Sequence, residues 1–389
     1  GELWREAVHW GQEAARAAER LFAYAAAWRQ LDRTLSALAW LPPGGERAET
    51  ERRVRAWRLR LEYWFNPHQV ESQFNESLDR SEADQGENGE ELPDVLLARA
   101  EVLFMQGKVD AAEPMLERVL ALAGEADAVI RGYALGGMGA VHIIRGNFRE
   151  AIELLLQAKP LIESGGRRFP GQSVTLATAS ASALKGEFDG FARCMADLEE
   201  MPGDLSHLAN LIGNKALVAF LQGRYREAVE EARTGMEHAR AADHRYNEYF
   251  CSIWLAAARV ELDEVEGALA DLDNCFELAA RANTTVLVDL VRAFKAMALL
   301  KLGMPANAAR VARAGLQLAE ENGYKLGGAM CMEALGHIAM AEGDFEGAAR
   351  WLAEALGRLQ AIDARPFIEL AVRRVPPDLA GTLPVLRRQ

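Results

Sequence analysis

Amide and aromatic side chains at helical spacing are the groups in this chain with the best means to do chemistry, and the chemistry they suit is binding. Asn210, Asn214, Tyr246, Asn247, Phe250 and Trp254 fall within 45 residues, with Tyr133 before them and His337 after. A pocket with aromatic walls and amide hydrogen-bonders could hold a sugar-like molecule or an extended peptide. The same residues also suit plain packing between helices, which is the reading to beat at Asn214 and Trp254.

Other chemistries find no machinery here. The four cysteines, Cys194, Cys251, Cys275 and Cys331, show no C-x-x-C spacing and sit in apolar helix patterns, which points to buried reduced thiols. The seven histidines form no metal-ligand pair at helical spacing. No G-x-x-x-x-G-K-[ST] loop, Ser-His-Asp order or G-x-S-x-G elbow occurs, so neither an enzyme nor a cofactor or metal site is expected. Gly132, Gly136 and Gly139 lie four and three residues apart within one helix, with Gly137 between the last two, as sites of close packing. A net charge of −13 opposes direct nucleic-acid binding, which needs a basic stripe. No apolar run is long enough for a membrane span, and the expected location is cytoplasmic.

The elements that must position the amides and rings follow from a repeat. Turn residues stand at Gly107, Gly146, Gly186, Gly223, Asp263, Gly303 and Gly343, spaced 39, 40, 37, 40, 40 and 40 residues apart. Seven residues before each turn is Ala or Gly: Ala100, Gly139, Ala179, Ala216, Ala256, Ala296 and Gly336. Small residues are needed where two helices of a hairpin cross closely. Five residues after the turns come Ala112, Ala151, Phe191, Ala228, Ala268, Ala308 and Ala348, and two after come Val109, Phe148, Phe188, Tyr225, Val265, Pro305 and Phe345, read as plugs. The turn residue supplies the left-handed conformation that ends a helix, for which Asp is a tolerable substitute.

This order of small residue, Gly-x-aromatic turn and following Ala resembles the tetratricopeptide repeat, over residues 92–361. The resemblance implies an all-α, right-handed superhelical solenoid of about nine antiparallel hairpins, whose first helices line the concave face. The period is longer than the usual value of about 34, which implies longer helices. Phe191 in the Ala position and Met201-Pro202-Gly203 predict a shortened second helix within 187–204.

Residues 1–91 carry the period in divergent form, with further turns at Phe22 and near Pro67. Six of eight tryptophans, Trp4, Trp10, Trp28, Trp40, Trp57 and Trp64, lie here. Core filling is the first reading; a contact of Trp4 and Trp10 with an upstream domain is the other. The chain therefore divides into 1–91, divergent hairpins cut from an upstream domain, then 92–361, seven regular hairpins, and 362–389, a closing helix near 366–374 and tail. The acidic stretch 81–94 reads as a loop. The N-terminal order is similar to the helical-repeat sensor region of signal-transduction ATPases with numerous domains, including large LuxR-type, maltose-activator-like transcription regulators. That resemblance implies a non-catalytic sensor attached to an upstream nucleotide-binding domain, with a protein, a peptide or a small polar inducer as partner. The alternative is a stand-alone peptide-binding regulator or assembly scaffold.

Overall fold

The computed structural model describes residues 2–20, 24–65, 92–124, 127–164, 168–200 and 205–375. Among them are eighteen helices and no strand. None of these helices is long and apolar enough to cross a membrane. The expected turns at Phe22 and Pro67, the acidic stretch up to residue 91, residues 201–204 and the tail from Pro376 lie outside the described residues.

Two compact units are present, residues 1–138 with 154–174, and residues 139–153 with 175–389. In the first, α1 (Glu2–Arg20) packs on α2 (Tyr24–Leu38), α2 on α3 (Gly45–Phe65), α3 on α4 (Pro93–Met105), and α4 on α5 (Val109–Leu122). Leu31, Leu38, Val54 and Leu61 form the core of α1 to α3. Trp28 and Trp57 are half-buried there, and Trp57 Nε1 donates to Glu19 Oε1 at 3.0 Å. Core filling does not extend to all six tryptophans. Trp4, Trp10 and Trp40 are exposed, and Trp4 and Trp40 stack on each other with ring centroids 5.5 Å apart. Three helices have residues in both units: α6 (Ala128–Ile144), α7 (Phe148–Ser164) and α8 (Arg168–Lys185).

The second unit continues through α9 (Phe188–Glu199), α10 (Leu205–Leu221), α11 (Tyr225–Ala241), α12 (Arg245–Glu261), α13 (Val265–Arg281) and α14 (Val288–Lys301). It ends with α15 (Pro305–Asn322), α16 (Lys325–Ala341), α17 (Phe345–Ala361) and α18 (Arg365–Arg374). From α4 to α17 the helices form seven antiparallel hairpins about the seven turns read from the repeat. The short α9, 12 residues against 17 for α11, marks the irregularity expected in 187–204. The closing helix expected near 366–374 is α18.

Each repeat position has its physical cause in the packing. All six turn glycines have φ between 72° and 83°, and Asp263 has φ 59°. All seven small residues before the turns are buried, as are the Ala series and Phe191 after them. A Cβ on Gly336 would lie 2.7 Å from Leu352 Cγ of the paired helix, so only glycine permits that crossing. Likewise a Cβ on Gly132 would lie 2.8 Å from Ile162 Cγ1, and one on Gly137 2.9 Å from Leu116 Cδ2, which makes both close-packing sites. A second left-handed series stands between hairpins, at Asp243, Asn283, Gly323 and Asp363, so the chain reverses by the same device at both ends of its helices. The plug reading fails at Phe345, which is 62% exposed while Phe148 is buried. The turn at Gly146 is roofed by Ile362, whereas Gly343 has open space around it.

Candidate functional site

Amides in the first helices of the second unit are spent on an internal ladder. Ser180 Oγ donates to Asn214 Oδ1 at 2.5 Å, and Asn214 Nδ2 donates to the Asn210 carbonyl at 2.9 Å and to Asn210 Oδ1 at 3.1 Å. These contacts join α8 to α10 and leave Asn214 2% exposed. Asn247 is used similarly, donating from Nδ2 to the Ser206 carbonyl at 3.0 Å and so tying α12 to α10. Asn210 is half-buried and keeps a face toward solvent.

The aromatic residues meet one layer further along. Phe220 of α10, Trp254 of α12 and Phe294 of α14 are buried together, with Phe220 5.5 Å from Trp254 and 5.6 Å from Phe294. Ring contact between α10 and α14, two hairpins apart, means the first helices converge tightly. Half-buried Phe250 packs edge-on to Trp254 at 6.1 Å. Trp254 Nε1 is buried and has no hydrogen-bond partner. A donor in that state costs roughly 1–3 kcal/mol, so it is a place where an acceptor from a ligand would be rewarded.

At the starts of the same helices lies a tyrosine and carboxyl group. Tyr246 and Tyr249 sit edge to face at 6.3 Å, and Tyr249 Oη donates to the Val286 carbonyl at 2.9 Å. Burial, with Tyr324 nearby, pushes the Tyr246 phenol up to about 12. The backbone here is irregular: Leu287 is left-handed at φ 64°, and α14 starts only at Val288. Behind it Asp289 is 2% exposed, and burial raises its carboxyl to about 7 against weaker opposition from backbone hydrogen bonds and Arg292. Cys251 and Cys275 are likewise pushed up to about 12 by burial. They and Cys331 are buried as expected, while Cys194 is only half-buried.

His337 belongs to a charged cluster. Its Nε2 lies 3.5 Å from Glu333 Oε1, and Glu333, fully buried, receives Arg374 Nη1 at 3.0 and 2.9 Å on its two oxygens. The Arg374 Nη2 donates to Glu261 of α12. Burial alone would raise the Glu333 carboxyl, but the Arg374 charge and His337 outweigh it and hold the group low. Among the described residues, no three His, Cys, Asp or Glu side chains converge in a way that could hold a metal ion.

Of the eight candidate residues, seven belong to the second unit. Asn214, Asn247, Trp254 and His337 are buried, and Asn210, Tyr246 and Phe250 are half-buried. Tyr133 is in the first unit, with the Arg60 guanidinium 4.5 Å over its ring and that arginine paired to Glu101. Glu261, Asp289 and Arg374 were not singled out from sequence. Arg374 was legible in principle, since it follows Glu333 by 41 residues and so marks one more period of the repeat. Asp289 carried no such signal, because its burial depends on the irregular 284–287 segment.

The tetratricopeptide-repeat family profile matches residues 91–164. No curated protein is significantly similar in sequence. Among solved structures, a Rap protein complexed with competence and sporulation factor matches at TM-score 0.71 and 12% identity, over 94% of this chain and 100% of that one. The apo form of the quorum sensor NprR from B. thuringiensis matches at TM-score 0.59 and 13% identity, over 92% and 99%. The Cut9 and Hcn1 hetero-tetramer of the APC/C matches at 0.51 and 15% identity, over 88% of this chain and 59% of that one. Together with the hairpins described above, these likenesses define an all-α, tetratricopeptide-like superhelical array.

Proposed function

We propose that the chain is a non-catalytic, cytoplasmic sensor or interaction module that captures a peptide or protein segment on the first helices of its second unit. The observation that carries this reading is the unpartnered Trp254 Nε1 within the Phe220, Phe250 and Trp254 cluster, with the half-buried Asn210 on the preceding first helix. An extended peptide supplies what that cluster lacks, a carbonyl acceptor beside apolar side chains. The similarity to a Rap protein and to NprR supports the reading, since one was solved with a bound factor and the other is a quorum sensor. A small polar inducer would use the same groups. In the wider protein the module would report to an upstream nucleotide-binding domain of a signalling ATPase or transcription regulator.

A stand-alone peptide-binding regulator or assembly scaffold is the second reading, in keeping with the fold-level likeness to a Rap protein solved with a bound factor. Isothermal titration against a short-peptide library, with the Trp254→Phe and Asn210→Ala variants alongside, tests the shared claim. Micromolar or tighter capture that weakens at least tenfold in Trp254→Phe supports it. Capture unchanged in both variants would place binding elsewhere and overturn it. Co-purification of the full reading frame with bound nucleotide separates the two contexts.

A further inference from the structure

The C-terminal end of the second unit returns to its beginning. Ile362 covers the turn at Gly146, where a Cβ would lie 3.0 Å from Ile362 Cγ2. The Gly186 turn faces Pro366 Cδ at 3.4 Å on the same measure, and the Gly223 turn faces Arg373 Nη1 at 3.4 Å. Lys325 Nζ donates to Asn147 Oδ1 at 2.8 Å, and Arg373 Nη2 reaches the Tyr225 hydroxyl at 3.4 Å. Three successive turns are thus bridged by one short segment, 362–374, that belongs to the far end of the array. Pro366, Phe367, Ile368, Leu370 and Ala371 bury the apolar face of α18 in that position.

One charged group fixes where this strap ends. Arg374 joins Glu333, on the neighbouring first helix, to Glu261, 113 residues away in sequence, and both arginine and Glu261 are 11% exposed. The Glu333 contact would persist in an open array, because it links adjacent hairpins. The Glu261 contact would not, because it spans three hairpins and requires the inward curl. Residues 326–339 of α16 are all buried in this arrangement, and so are most residues of α12, Trp254 and Asn247 among them.

We propose that α18 is a strap that holds the second unit closed over its own inner face, with the Arg374–Glu261 ion pair as its latch. The strap regulates access to the Trp254 cluster, and in that respect it rests on the binding reading above. A partner that needs Trp254 must be admitted by release of 362–374 from the turns at 146, 186 and 223. Glu261→Gln removes only the long-range half of the Arg374 pairing and leaves the Glu333 half in place, so a single substitution isolates the latch.

Glu261→Gln and Arg374→Gln, with Glu320→Gln at an exposed pair as control, would be compared without any ligand by hydrogen exchange and by hydroxyl-radical footprinting of Trp254. Expected for Glu261→Gln is at least tenfold faster exchange in 362–374 and in the three turns, several-fold more oxidation of Trp254, and an α14–α15 hairpin that stays as protected as in the parent. Because Glu261→Gln keeps the Arg374–Glu333 pair, it stays informative if Arg374→Gln does not fold. Exchange and footprint equal to the parent, or loosening spread evenly through the unit, would overturn the latch. Neither outcome depends on a ligand, so a failed peptide titration with an intact latch would count only against the binding reading.

Discussion

Asp289 shows what a single buried group imposes on the rest. Its carboxyl, raised to about 7, stays protonated in the fold at pH values where the unfolded chain has already ionised it. The associated stability is therefore full below about pH 4 and is lost as pH rises through about 7. Asp289→Asn should remove that slope, stabilising the protein by on the order of 2–4 kcal/mol at pH 8 and by little at pH 4, read from urea midpoints. An equal effect at both pH values would mean that folding does not raise the carboxyl. Asn214 makes the opposite case, since every contact of its amide is internal. Asn214→Ala should cost about 1–3 kcal/mol by removing the buried amide and opening the α8–α10 joint, while Ser180 keeps the Leu176 carbonyl as an acceptor, again by urea denaturation.

Helices are where the repeat pattern is read most directly, and two positions show both its reach and its limit. Gly336 sits where the sequence demanded a small residue, and the approach of Leu352 supplies the reason. Gly336→Val should force α16 from α17 and cost about 2–3 kcal/mol in thermal or chemical unfolding. Phe148 and Phe345 occupy the same repeat position yet differ in burial, which a pattern internal to one hairpin has no means to reveal. Phe148→Ala should cost about 3–5 kcal/mol, and Phe345→Ala less than about 0.5 kcal/mol. Local signals, such as the turn residues, crossing residues and the short α9, were legible because a hairpin makes them alone. Packing at Asn214 and Trp254 was legible on the same ground, whereas the exposure of Trp4 and Trp40 and the Glu261 contact were not, because no pattern internal to one hairpin specifies them.

The packing of α18 on α16 has an electrostatic signature in the second unit. Glu333 is held below the ordinary glutamate range, so its contribution is present above the unfolded value of about 4.3 and is lost as pH falls through the lower folded value. The urea midpoint difference between the parent and Glu333→Gln should stay constant from pH 8 to 5 and shrink only below about pH 4. A difference that already fades near pH 6 would mean that the Glu333 carboxyl is not held low in the fold. The strap also changes how this chain can be made. An open solenoid acquires its structure hairpin by hairpin as it is synthesised, each unit needing only the one before. Here the turns at 146, 186 and 223 wait for a segment more than 130 residues downstream, so their completion is a late, long-range event with a large loop to close. A nascent chain halted before residue 362 would leave those three turns bare, and the ribosome would hold an array that is regular along its length but unfinished at its rim.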